Sequence, residues 1–251
     1  MNENANWVDL PIASVDVETT GLDPQTDRVI EIAIIHMRNG EVEERWSSLV
    51  NPGCDIPEEV TRITGIKGED LVSAPSFDTI VGEIQSRLKD RIFVAYNLEF
   101  DRAFIKNELE RAGAVWEELE YVDPLIFARE LHRNQGSKRL GSVAERLGIE
   151  IGQAHRAADD AVASGKVLYA FAGQLPATLG ELTLLQGQWA TQQENERASW
   201  RNRREGGPES VIGVSAQADR GNALGPAYIY GEETDPVRAM FLHLPDSGSK
   251  R

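Results

Sequence analysis

A chain of 251 residues with 41% hydrophobic content and a mean hydropathy of −0.37 has the make-up of a folded soluble protein, one large domain or one domain with an appendage. No apolar run approaches the roughly 20 residues of a membrane-spanning helix; the opening MNENANWVDLPIAS also lacks the basic-then-apolar layout of a signal peptide, so a cytoplasmic location is expected. A net charge of −15 argues against a broad basic surface for duplex phosphates, and a single cysteine, Cys54, excludes an internal disulfide and any multi-cysteine metal site.

In chain order, residues 12–18 form a first strand, ended by the Gly-, Pro- and Asp-rich stretch GLDPQTDR. VIEIAIIHM, rich in β-branched residues, is a second strand. The Asn-Gly pair in RNGE marks a hairpin into a third, VEERWSSLV. NPGCDIP breaks that strand, and PEEVTRITGI is a short helix with Pro57 at its start. Phe77, Ile80, Val81, Ile84 and Leu88 then recur at helical spacing. RIFVAY and LEYVD are short strands that alternate with the helices FDRAFIKNELERAG and PLIFARELH. RLGSVAERLG and HRAADDAVASGKVLYAFAGQL are two more helices, the last ending before Pro176. Three meandering strands followed by alternating strands and helices predict an α/β fold, a mixed β-sheet flanked by helices, over residues 8–176.

Residues 177–251 are a C-terminal extension of different character. A helix is expected over about 178–204, with a thin apolar stripe of Leu179, Leu182, Leu185, Trp189 and Trp200 that packs on the domain or on a partner. Trp189, Trp200 and the cluster Arg197, Arg201, Arg203 and Arg204 offer a surface for a partner or nucleic acid. An equal alternative is a solvated helix end with arginines near its negative pole. Beyond it, VIGVSAQ, AYIYG and AMFLHL are apolar islands expected to be irregular or small strands.

The first strand carries two acids, Asp16 and Glu18, at i and i+2, which point to the same side of a sheet. Adjacent carboxylates repel unless a proton or cation lies between them, and oxygen ligands of this kind suit Mg²⁺ or Mn²⁺. A strand end with both acids in water is an equally good reading of these two residues alone. AYNLEFDRAF adds Asn97, Glu99 and Asp101 at a strand-to-helix junction, where α/β folds place ligands. Taken alone, that stretch is better explained by capping by Asn97 and a dipole-favoured first-turn acid. HRAADD adds His155, Asp159 and Asp160 at the start of a helix. Four acids and one histidine at element ends match a two-metal phosphodiester site, with the histidine as the base that takes a proton from water.

DVETTGL, AYNLEFD and HRAADD, in this order and at these distances, resemble the three exonuclease motifs of the DEDD superfamily, in its histidine variety (DnaQ-like), over about residues 10–173. The resemblance implies an RNase H-like fold and 3′–5′ exonuclease activity with two divalent cations, Mg²⁺ or Mn²⁺. It implies metal-ligand and catalytic roles for Asp16, Glu18, Asp101 and Asp160, with His155 as general base. Helix geometry does not choose between Asp159 and Asp160; the family's histidine-to-acid spacing of five selects Asp160, with the histidine on the preceding loop. Thr19, Thr20 and Gly21 resemble the turn whose backbone contacts the 3′-terminal nucleotide, and Leu22 the apolar wedge against its base. RITGI resembles a second substrate stretch through Ile63 and Thr64, with Thr64 where histidine is frequent. Asn97 resembles the asparagine beside the second motif, and Tyr96 stands where histidine is common. A single-stranded nucleic acid 3′ end is the implied partner, and a polymerase reached through the extension is a further one. The first motif leans to DNA; an RNA-directed enzyme of the same family and a binding module without turnover are the alternatives. Glu31 is expected to make a structural hydrogen bond or ion pair, and Asp123, before Pro124, to cap a helix.

Overall fold

The structure is a computed structural model that describes residues 1–152 and 155–205, the side chains of 200–205 excepted. Five strands form one sheet: β1 (Ile12–Thr19), β2 (Val29–Arg38), β3 (Glu41–Leu49), β4 (Ile92–Val94) and β5 (Tyr121–Val122). Among the described residues, eight α-helices accompany them: α1 (Glu58–Thr64), α2 (Gly68–Leu71), α3 (Phe77–Leu88), α4 (Leu98–Arg111), α5 (Pro124–Leu131), α6 (Leu140–Arg146), α7 (Ala157–Ala170) and α8 (Leu179–Glu205). The sheet order is β3-β2-β1-β4-β5, with β1–β2 and β2–β3 antiparallel and β1–β4 and β4–β5 parallel. This is the mixed, helix-flanked sheet of the RNase H-like fold that the motif order implies.

The β2–β3 hairpin turns on Asn39 and Gly40, at φ 51° and 81°. Both are left-handed, as a two-residue loop matched to strand twist requires, and asparagine and glycine tolerate that backbone best. β1 is the central strand and every one of its residues is buried. Its side chains alternate between two cores. Ala13, Val15 and Val17 face α3 and α4, while Ile12 faces the layer that holds α5, α7 and the start of α8. Ser14 points to the same side as Ile12 and donates to the Ala161 carbonyl of α7 at 2.7 Å. By alternation Asp16 and Glu18 also point toward α7.

α7 approaches the sheet closely because its inner face is small: Ala157, Ala161, Ser164 and Gly165 are all buried. A Cβ at Gly165 would lie 2.3 Å from Met37 Sδ and 3.3 Å from Ser14 Cβ, so a side chain there must push the sheet-facing Met37 aside.

Several elements are shorter than their sequence patterns predict. RIFVAY and LEYVD supply only Ile92–Val94 and Tyr121–Val122 to the sheet. The last helix of the domain ends at Ala170 and passes into a 3-10 turn, Ala172–Gln174. α4 starts at Leu98, two residues before the predicted Phe100, because Asp123 ties down the backbone N–H groups of Asn97 and Leu98 from outside the helix. The Asn97 side chain makes no cap bond; its backbone is left-handed at φ 68°. α2, too short for a periodic pattern, closes a small separate cluster of Ile30, Val60, Ile66 and Leu71.

The apolar stripe of the extension packs on the domain through α8. Leu179 and Leu182 join the core that contains Trp7, and Leu185 and Trp189 pack against it. Trp189 meets Phe127 edge-on with ring centroids 5.9 Å apart, and Trp7 Nε1 donates to the Pro176 carbonyl at 2.9 Å. The core therefore runs across residue 176 without a break. Of the basic cluster, Arg197 lies near Glu194 at 3.8 Å; the side chains of Trp200, Arg201, Arg203 and Arg204 lie outside the described residues. So do the three apolar islands beyond residue 210.

Candidate active site

The end of β1 gathers acids from three elements. Asp16 and Glu18 sit on β1, Asp101 on the first turn of α4 and Asp160 on the first turn of α7, and all four are buried, Asp101 completely. Asp101 Oδ1 accepts the Val17 backbone N–H at 3.1 Å, which fixes α4's acid to the strand between Asp16 and Glu18. Asp160 Oδ2 accepts the His155 backbone N–H at 3.0 Å, so the loop residue and the helical acid hold each other. His155 stands before α7 on a left-handed backbone, φ 62°, half-buried. One ligand atom each from Glu18, His155 and Asp160 lie within 4.8 Å of one another. The pairing register of β1 with β2 shifts between Glu18 and Thr19, an irregularity of the kind found beside functional sites.

Asp159 and Asp160 part here. Asp160 turns inward to Glu18 and His155, while Asp159 turns to the sheet edge, 3.5 Å from Arg45 of β3. Glu31, the ladder partner of Glu18, is buried and pairs with the Arg156 guanidinium through both oxygens, at 3.0 and 3.4 Å. That bond and the Glu31 charge raise the Arg156 pKa further.

The donor set fits divalent metal. Four buried carboxylates in one place are costly without a cation. One oxygen each of Glu18 and Asp160, with a His155 ring nitrogen, span a distance that ligands about 2.0–2.6 Å from one ion would bridge. Oxygen-rich sets favour hard ions such as Mg²⁺ and Mn²⁺.

The residues assigned to the substrate fall into two groups. Leu22, Ile63 and Asn97 are partly exposed. Thr19, Thr20 and Thr64 are buried, and their hydroxyls are spent on the fold. Thr19 Oγ1 donates to Gly21 O at 2.6 Å, and Thr20 Oγ1 contacts Asp27 Oδ1 at 3.3 Å and accepts the Arg28 N–H. Thr64 Oγ1 donates to Val60 O and accepts from Ile66 N, closing α1. Gly21 lies close under the Asp27 carboxylate: a Cβ there would lie 2.4 Å from it, so any side chain must displace Asp27. Asp27, in the Gly-, Pro- and Asp-rich loop, ties that loop together: its Oδ2 accepts the Asp23 N–H at 2.9 Å.

A fold and a buried acid cluster of this kind define a phosphodiester-cleaving class of the RNase H-like architecture. A family description for exonucleases matches residues 14–168, and the chain belongs to that family, the DEDD superfamily of DnaQ-like 3′–5′ exonucleases. A DNA polymerase III of PolC type from Thermotoga maritima is 34% identical over 172 residues, which are 68% of this chain but only 12% of that protein. Among solved structures, the zinc-bound form of the E. coli ExoI–ssDNA complex matches with TM-score 0.59 and 21% identity over 66% of this chain and 41% of that one. Exonuclease X in complex with 5′-overhanging duplex DNA matches with TM-score 0.56 and 21% identity, over 70% of this chain and 99% of that one. At that identity the two structures speak to the fold alone. The family is divalent-metal dependent. Among the described residues, no helix is long and apolar enough to cross a membrane.

Proposed function

We propose that the chain removes nucleotides from the 3′ end of single-stranded DNA, using two divalent cations, Mg²⁺ or Mn²⁺, and releasing nucleoside 5′-monophosphates. The observation that carries this reading is the meeting of Glu18, His155 and Asp160 within 4.8 Å at a strand end to which Asp101 is also fixed. Asp16, Glu18, Asp101 and Asp160 would hold the cations, which supply Lewis acidity toward the attacking and leaving oxygens when bound. His155, half-buried beside Glu18 and Asp160, takes the proton from the attacking water as general base. The backbone of Thr19–Gly21, with Leu22, seats the terminal nucleotide, and contact with a base face is indifferent to sequence. Ile63 and Asn97 border the same seat. The net charge of −15 favours a substrate held at the cation site over one held by a basic surface.

The DNA polymerase name of the 34% identical relative favours DNA over RNA as the substrate. The test uses 5′-labelled single-stranded DNA and RNA of one sequence, with Mg²⁺, Mn²⁺ or EDTA. A ladder shrinking from the 3′ end of DNA, absent in EDTA, supports the reading. Trimming confined to RNA moves the chain to the ribonuclease branch, and trimming of neither polymer overturns it.

A further inference from the structure

Two buried acids outside the cluster each grip the start of a helix that carries one of its acids. Asp123 precedes α5, and its carboxylate accepts three backbone N–H groups: Asn97 and Leu125 at Oδ1, at 3.0 and 2.9 Å, and Leu98 at Oδ2, at 3.1 Å. Asn97 and Leu98 are the entry to α4, one turn before Asp101. Glu31 does the same for α7. It pairs with Arg156 and accepts the Ala157 N–H at 3.3 Å, one turn before Asp160. Both acids are nearly inaccessible, at 8% and 2% exposure. Burial pushes the Asp123 carboxyl above its ordinary range, against the pull of the three N–H groups and Arg129. Its three accepted bonds reach the starts of two helices, α4 and α5, whereas a simple cap serves one.

We infer that Asp123 and Glu31 are positioning residues: each sets the depth and rotation of one helix so that Asp101 and Asp160 arrive together at the end of β1. The inference rests on the metal reading proposed above. The geometry distinguishes it from simple helix capping. The Asp123 bonds cross from α5 to α4, 26 positions away, and the Glu31 bonds cross from β2 to α7, about 125 positions away. The downstream bonds are the readout. Val17 N–H to Asp101 Oδ1 reports α4, and His155 N–H to Asp160 Oδ2 reports α7. α8 also belongs to the Asp123 grip, because Gln186 Oε1 accepts the Asp123 N–H at 2.7 Å and Gln186 Nε2 donates to Tyr121 O at 3.2 Å.

The experiment compares the full chain with Asp123→Asn, Glu31→Gln and Leu88→Ala. Leu88 ends α3 at the opposite end of the sheet and is buried, so its truncation lowers stability without touching either grip. In Asp123→Asn the amide group meets the Leu98 N–H donor to donor; in Glu31→Gln the charge partner of Arg156 is lost. Mn²⁺ affinity is measured by titration calorimetry and amide protection by hydrogen-exchange NMR. Expected is a fall in Mn²⁺ affinity of about 10–100-fold in both grip variants, the effect typical of residues that orient metal ligands. Protection should fall at Val17 in the first variant and at His155 in the second. Leu88→Ala should melt earlier yet bind Mn²⁺ like the parent. Unchanged affinity and protection in the grip variants, or equal loss in Leu88→Ala, overturns the inference. If the parent chain binds no Mn²⁺, the metal reading fails instead, and the positioning role then stands or falls on the Val17 and His155 protection alone.

Discussion

Glu108 offers the sharpest stability prediction. It lies on α4, 1% exposed, and accepts Arg28 Nε at 2.7 Å, Arg28 Nη2 at 3.0 Å and the Val29 N–H at 3.2 Å. Arg28 closes the loop after β1 and also donates to the Pro52 carbonyl at 2.8 Å. Glu108→Ala deprives a buried N–H of its side-chain acceptor, which costs about 1–3 kcal/mol. It also removes the anion of a half-buried pair. Breaking a fully buried pair costs about 3–5 kcal/mol, but Arg28 is 31% exposed and water takes over part of its solvation, so about 1–2 kcal/mol remains. The sum is about 3 kcal/mol, or roughly 6–12 °C in Tm for a chain of this size. Circular dichroism melts of the parent, Glu108→Ala, Arg28→Ala and the double variant check it, since the two single losses should overlap rather than add. A Tm within about 2 °C of the parent for Glu108→Ala would refute the assignment of this pair as the anchor between α4 and the loop.

Further predictions concern packing and pH. Gly165→Leu should cost at least about 1–3 kcal/mol, because even its Cβ displaces Met37, and a thermal melt reads it. Gly165→Ala should cost less, since the thioether is flexible. Trp189→Ala should destabilise by about 3–5 kcal/mol at most, less for its partial exposure, through its edge contact with Phe127; an unchanged melt would mean that α8 is not part of the core. Burial holds His36 and His132 below the ordinary histidine range, with Arg91 adding to the effect at His36 and Arg146 and Lys138 at His132. A base whose folded pKa is depressed contributes full stability above the unfolded value near 6.5, and that contribution is lost as pH falls below it. Tm should therefore drop between pH 7.5 and 5.5, and the drop should shrink in His36→Gln/His132→Gln; an equal drop would contradict this.

The fold was legible because its signals are local. Asn39-Gly40 announced the hairpin, the period of Phe77–Leu88 announced α3, and the i, i+2 spacing put Asp16 and Glu18 on one side of β1. The helix-start acids Asp101 and Asp160 were legible as residues but ambiguous as roles, since a dipole-favoured acid looks the same in sequence. What separates Asp160 from Asp159 is the Arg45 of a strand more than a hundred positions earlier. Long-range pairs of this kind have no local signature. Arg28 with Glu108, Arg156 with Glu31, and Asn97 with Asp123 lie 80, 125 and 26 positions apart. Glu31 and Asp123 stood out as acids in apolar or pre-proline settings, and only the fold names the donors they satisfy.

The most direct test of the central claim is trimming of 5′-labelled single-stranded DNA in Mg²⁺ by the parent chain, Asp159→Asn, Asp160→Asn and His155→Gln, each confirmed folded by its melt. The site described here predicts a 3′-end ladder for the parent and for Asp159→Asn, none for Asp160→Asn, and a loss of roughly 10²–10⁴-fold for His155→Gln. Near-parent trimming by Asp160→Asn or His155→Gln would contradict it.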